Sequence, residues 1–177
     1  AVQQLIDADV AEPALIIRNS SPAGNPPMGE LIRNGLFYVY KKLFAKASAL
    51  DSMPFSIELT STETIECTVT RKGRFSEYFS TEDLETIRSK ELDFILRFGF
   101  GIIRGQIHEA TKYGIWSFHH GDEQKYRGGP YCFWEIYHQD RLTGSILQRL
   151  TDKLDGGIVL RKAQFGTVRH SYRSNME

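Results

Sequence analysis

Cysteine is scarce in this sequence. Cys67 and Cys132 are the only two, and each sits in an apolar context. Neither belongs to a Cys-x-x-Cys pair, so neither a zinc ribbon nor a disulfide framework is indicated. Both read as small buried hydrophobes in a reducing, cytoplasmic setting. Long apolar runs are missing too. None approaches the ~20 residues of a spanning helix, so no membrane partner is expected. A charged-then-apolar leader is absent. The chain opens on Ala-Val-Gln-Gln rather than Met, which reads as a trimmed start. Net charge is zero, with 22 Lys plus Arg against 22 Asp plus Glu. A general nucleic-acid binder is usually basic, so no nucleic-acid partner is expected. The local basic group Arg71, Lys72 and Arg74 is the one exception. No G-x-G-x-x-G occurs, and Gly99-x-Gly101 is too short for a dinucleotide fingerprint. Internal repeats and low-complexity tracts are absent.

What is present suits one domain with a proper core. A chain of 177 residues buries about 70% of its unfolded surface. Apolar residues make up 41%, an ordinary share for a globular protein. Residues 1–8 read as the tail of a helix, and 14–18 as a short buried strand between Pro13 and Asn19. Residues 19–28 read as a loop. Over 29–49, Leu31, Ile32, Leu36, Phe37, Tyr40, Leu43 and Phe44 recur at helical spacing, with a weak point at Gly35. The alternation in 64–70 predicts one strand. Thr81 is placed to cap a helix through Lys90, with Asp83 and Glu85 in its first turn. Strands are predicted at 94–98, 114–118, 145–150 and 157–165, a weak helix near 104–111, and a helix over 130–138 with Pro130 at its start.

Strand and helix alternating in this way predict an open, mostly parallel twisted α/β sheet flanked by helices. Ligands of such sheets sit beyond the carboxyl ends of the strands. The strands at 94–98 and 114–118 should therefore end on one rim. A doubly wound domain usually starts on a central strand, yet this chain starts on a helix. A first strand is accordingly expected upstream, in a single catalytic domain truncated at its N-terminus.

The chemistry concentrates at that rim. An apolar strand delivers Ser117, His119 and His120 to its end, and Asp155 waits in Leu-Asp-Gly-Gly. A histidine with a distant acid to orient or charge it is a general acid/base arrangement. His119 equally suits a strand end that it merely satisfies, and on local grounds Asp155 suits an Asp-Gly turn between two strands better than a catalytic role. His119, His120, Asp122 and Glu123 include metal-ligand types. Consecutive residues point in different directions, however, and no metal ligand is assigned. Lys125, Arg127 and Gly128 form a loop able to hold an anionic substrate group or simply to be solvated. Trp116, Tyr126, Tyr131, Phe133, Trp134 and Tyr137 suit core or cleft wall.

The stretch from Phe100 to Gly129, with Leu150 to Ile158, resembles the folate-dependent formyltransferases. Ser117-Phe118-His119 stands at the family's Asn-x-His, Tyr126-Arg127-Gly128 at its Arg-Gly, and Leu154-Asp155-Gly156-Gly157 at its acidic turn. The likeness runs from residue 93 to 165 and is poor over the first half. It implies a Rossmann-like fold and transfer of a formyl group from N10-formyltetrahydrofolate, a cosubstrate, to an amine of a small molecule or sugar. It assigns His119, Asp155 and Ser117 to catalysis. Phe100, Gly101, Ile102, Ile103, Leu150, Thr151, Asp152 and Leu154 would line the folate pocket, and Lys125, Arg127 and Gly128 would meet the acceptor.

Ser117 departs from the family's Asn. A serine hydroxyl also accepts, whereas an amide NH₂ is a committed donor. Losing one oxyanion donor typically costs on the order of 10²–10³ in rate. A folate-binding module without transfer is therefore the alternative, and a metal-dependent hydrolase on His119, His120 and Asp122 a more distant one.

Overall fold

The computed structural model describes residues 2–21, 29, 32, 34–36, 39–40, 62–73, 75–154 and 156–177. The chain groups into two compact units. The first comprises Ala1–Ser21, Met53–Ser117 and Gln148–Ile158, the second Pro22–Ser52, Phe118–Leu147 and Val159–Glu177.

Helix α1 (Val2–Asp7) leads into strand β1 (Leu15–Asn19), which pairs in parallel with β2 (Glu63–Cys67), Leu15 opposite Glu63. The alternation in 64–70 predicts one strand, but the structure breaks it in two. Ser20 and Ser21 compete for the backbone there. Ser20 N–H donates to Cys67 C=O at 3.0 Å, and Val69 N–H donates to Ser21 Oγ at 2.9 Å. Beyond that break, β3 (Thr70–Lys72) pairs antiparallel with β4 (Ser76–Tyr78), and β4 pairs in parallel with β6 (Ile102–Arg104).

Helix α2 (Thr81–Ser89) is capped by Ser80, not Thr81. Ser80 is extended, and its hydroxyl accepts from Asp83 N–H at 3.0 Å. Glu82 and Asp83 then occupy the first turn, where negative charge meets the positive end of the helix dipole. The helix expected near 104–111 is a four-residue 3-10 turn, Gln106–Glu109, entered through Gly105 at φ +82°.

Strand β5 (Ile95–Arg97) pairs in parallel with β7 (Ile115–His120), setting Arg97 beside Ser117. β7 continues through His120, so both histidines belong to the strand itself. β8 (Leu142–Arg149) and β9 (Ile158–Gly166) complete a four-stranded sheet in the order β5-β7-β8-β9. Leu150 N–H donates to Ile115 C=O at 2.7 Å and Gly121 N–H to Gly144 C=O at 2.8 Å, so β8 runs antiparallel to β7. The expected α/β, Rossmann-like arrangement is the one observed, with parallel pairs β1-β2, β4-β6 and β5-β7 and an antiparallel side.

The helix expected over 130–138 shrinks to α3 (Trp134–Tyr137), because Cys132 takes a left-handed φ of 60° that no helix continues through. Pro130 lies ahead of it, in a cis peptide with Gly129. A last helix, α4 (Tyr172–Met176), has no counterpart in the sequence reading. Of the helix expected over 29–49, residues 29, 32, 35–36 and 39–40 are helical. Ile32, Leu36 and Tyr40 are exposed. Leu31, Phe37, Leu43 and Phe44 lie outside the described residues.

The core of the first unit is Leu84, Ile87, Ile103, Ile107, Ala110 and Ile115. Complete burial of a side chain such as Ile87 contributes about 1.5–3 kcal/mol. In the second unit Cys132 and Tyr172 pack with Tyr131, Phe133, Ile136 and Met176. Both cysteines are free and buried, as their apolar contexts suggest. Burial pushes Cys67 up to about 12 and Cys132 to about 11.

Candidate active site

In the first unit the sequence-predicted residues gather around one guanidinium. The β5-β7 register puts Arg97 and Ser117 side by side, and Arg97 Nη1 donates to Ser117 Oγ at 3.1 Å. Its Nη2 donates to Phe100 C=O and Gly101 C=O, both at 2.8 Å. Phe100 sits at φ +65°, an uncommon conformation for a side chain of its size. Two charge-assisted bonds from one arginine hold the turn in that shape. Burial lowers the Arg97 pKa, and the Glu77 carboxylate opposes the shift.

Glu77 is 4% exposed and is satisfied on both oxygens. Oε1 pairs with Arg71 Nε at 3.2 Å, and Oε2 accepts from Gly101 N–H. Glycine suits position 101, because a Cβ there would crowd Phe75 C=O at 3.0 Å and Glu77 Cδ at 3.1 Å. The basic group at 71–74 is thus partly neutralised. Lys72 Nζ lies 4.9 Å from the centroid of the Tyr78 ring, and Arg74 falls outside the described residues.

The two segments assigned to a folate pocket meet. Gly105 N–H donates to Asp152 Oδ1 at 2.8 Å, and Phe100 and Leu150 pack on the core cluster that contains Ile103. Ile102 and Ile103 belong to strand β6, and Ile102 N–H is spent on Phe75 C=O. Leu150 N–H is likewise committed to Ile115. Thr151 Oγ1 closes the following turn on Gly156 C=O at 2.9 Å, and Leu154 is exposed. Asp155 itself lies outside the described residues.

A separate cavity of about 1050 Å³ opens in this unit against α1, β1 and residues 90–100. Phe100 and Ile103 line it, but the 150–154 segment does not, so it is not the space between the two folate segments.

The second unit holds His119. Strand alternation turns Ser117 and His119 to one face of β7. His119 Nε2 lies 3.2 Å from Tyr126 C=O. A carbonyl only accepts, so Nε2 carries the hydrogen and Nδ1 is the nitrogen left to take up a proton. His120 packs on the Tyr131 ring at 5.3 Å instead.

Tyr126 is fixed at its far end, where its hydroxyl donates to Asp140 Oδ2 at 2.8 Å. Burial and that bond raise its pKa to about 12. Lys125, assigned to the acceptor, pairs with the same Asp140 oxygen at 3.3 Å. Arg127 Nε donates to Glu123 C=O at 3.3 Å, while a Cβ built on Gly128, at φ +107°, would meet nothing within 4 Å among the described residues. Asp122 and Glu123 share Lys162 at 3.0 and 3.1 Å. Among the described residues, no group of three or more His, Cys, Asp or Glu is placed to hold a metal ion, and no helix is long and apolar enough to cross a membrane.

The half-buried Arg97 and the buried Glu135 both escape the sequence reading. Arg97 is the lone base in Phe94-Ile95-Leu96-Arg97-Phe98, and Glu135 the lone acid in Phe133-Trp134-Glu135-Ile136. A single charge inside an apolar run was the available signal for both.

No family model matches the sequence, and no curated protein matches it. Solved structures do match in three dimensions. Phosphoribosylglycinamide formyltransferase from Anaplasma phagocytophilum superposes with a TM-score of 0.54 at 15% identity, over 93% of this chain and 78% of that one. A formyltetrahydrofolate deformylase from Pseudomonas syringae gives 0.54 at 15%, over 94% of this chain and 55% of that one. Glycinamide ribonucleotide transformylase 1 from Symbiobacterium toebii gives 0.52 at 12%, over 93% and 80%. The chain therefore has a formyltransferase-like fold, and it spans just over half the length of the deformylase.

Proposed function

We propose that this chain moves a formyl group from N10-formyltetrahydrofolate to an amine of a small-molecule or sugar substrate. The observation that carries the reading is a Ser-x-His pair at the end of β7, in a chain of this fold, with Nδ1 of His119 as the nitrogen open to a proton. In the transfer the amine nitrogen bonds to the formyl carbon, the bond from that carbon to N10 breaks, and one proton passes from the amine to N10. His119 serves as the carrier of that proton. As imidazolium it also donates to the developing oxyanion.

Ser117 is proposed as the second donor, with Asp155 as the carboxylate that favours the charged ring. Arg97 supports the serine's part. It occupies a lone pair of Oγ and polarises the hydroxyl toward donation. Phe100–Ile103 and Leu150, Thr151, Asp152 and Leu154 are proposed to flank the pterin, joined by the Gly105–Asp152 bond. Lys125, Arg127 and Gly128 are proposed for the acceptor, in a single catalytic domain working in the cytoplasm without nucleic acid or membrane.

The test is release of tetrahydrofolate with candidate amines, followed together with formylated amine and free formate. His119→Ala is expected to lose at least about 10²-fold in transfer. Full activity in that variant overturns the assignment. A folate-binding module without transfer is the second reading, favoured by the 2% exposure of Ser117. Tight binding of a stable folate analogue without turnover would select it.

A further inference from the structure

We propose that Glu135 is a second carboxyl partner of His119, a positioning residue that tunes the charge on the imidazole. This deepens the reading of His119 as the proton carrier and rests on it. Glu135 sits on α3 and is 1% exposed. Apart from its own backbone amide, neither carboxyl oxygen has a hydrogen-bonding partner among the described residues. Buried carboxylates in that condition are costly, and an orphan of this kind in a native interior requires an explanation.

The geometry supplies one. Gly121 follows β7 at φ +117° and has no side chain. A Cβ built there would lie 3.6 Å from Tyr126 C=O and 3.7 Å from Glu135 Oε1. The carboxyl of Glu135 and the carbonyl that holds His119 Nε2 thus converge on the same glycine, two residues along the chain from the ring. His119 and Glu135 lie close enough for their charges to interact. The other ionisable groups facing Glu135 are Asp140, Asp122, Tyr126, Cys132 and Tyr172.

Asp140 and Asp122 are acids paired with Lys125 and Lys162, and their charge opposes ionisation of Glu135. Tyr126, Cys132 and Tyr172 stay neutral at pH 7, with pKa values of about 12, 11 and 12. His119 is therefore the group in this set whose protonation can answer that of Glu135. Burial, with the two aspartates adding to it, holds the Glu135 carboxyl above its ordinary value. A proton arriving on His119 makes ionised Glu135 less costly, and ionised Glu135 makes the imidazolium less costly.

The test is a histidine-ring NMR titration of the full chain and of Glu135→Gln. His119 is expected to titrate about 1 pH unit lower in the glutamine variant. Glu135→Asp, which keeps the charge, should stay near the wild type. An unchanged or raised His119 midpoint in Glu135→Gln overturns the proposal.

Should that variant fail to fold, the reciprocal measurement decides. With ¹³C-labelled glutamate, the Glu135 midpoint must rise in His119→Asn relative to the wild type, and an unmoved midpoint overturns the proposal. Both readouts are independent of transfer. Absence of formyl transfer in the wild type would remove the proposed reaction and leave this coupling measurable. Where transfer is present, the acidic limb of its pH profile should move in Glu135→Gln by the same amount as the His119 midpoint.

Discussion

Four side chains carry the argument at the scale of single residues. Ser117 and His119 could be read from the sequence, because an apolar strand ending in Ser-x-His-His-Gly shows both the element and its tip. Arg97 and Glu135 could not be placed that way. Their roles depend on register and on a glycine turn, and the sequence marks each only as a lone charge in an apolar run. Glu135 also makes a prediction about stability. Its folded pKa is raised above the ordinary 4.5 by burial. Between that value and the folded one, the native state holds a proton that the unfolded chain has released. Wild-type stability must therefore fall as pH rises through the window, and flatten above it. In Glu135→Gln this slope should vanish. Urea midpoints measured from pH 4 to pH 8 check it, and parallel pH dependences in the two proteins would contradict it.

Among the elements, α2 shows how a local rule can be right in kind and off by one position. Both Ser80 and Thr81 are capping residues by type, and only the backbone decides between them. Ser80 is extended and bonds to Asp83 N–H, whereas Thr81 is already helical. Ser80→Ala should cost about 1 kcal/mol, and Thr81→Ala less, by chemical denaturation. Strand β6 was hidden for another reason. Gly99-Phe100-Gly101 reads as a loop, and the short strand after it exists only because β4 offers a parallel partner across Phe75 and Ser76. The 64–70 run failed in the opposite sense. Its alternation is real, but Ser20 and Ser21 take its backbone bonds midway. Side-chain periodicity reports which faces are buried, and it is silent about which partner holds each amide.

For the molecule as a whole, the α/β class followed from the alternation of strands and helices. The formyltransferase-like architecture followed from a spaced set of motifs rather than from overall similarity. At 15% identity the fold persists. Asp155, the remote acid of the sequence reading, stays an assignment from motif alone. The way the two units are threaded has a practical consequence. Each is stitched from three stretches of backbone that alternate along the chain. Any single scission between residues 22 and 158 consequently severs both at once. A protease site placed at Gly128, where a built Cβ meets nothing within 4 Å among the described residues, should yield two pieces that melt without a cooperative transition once separated. A sharp transition in either piece alone would overturn that expectation, by showing that one stretch of the interleaved chain suffices to encode a folded body.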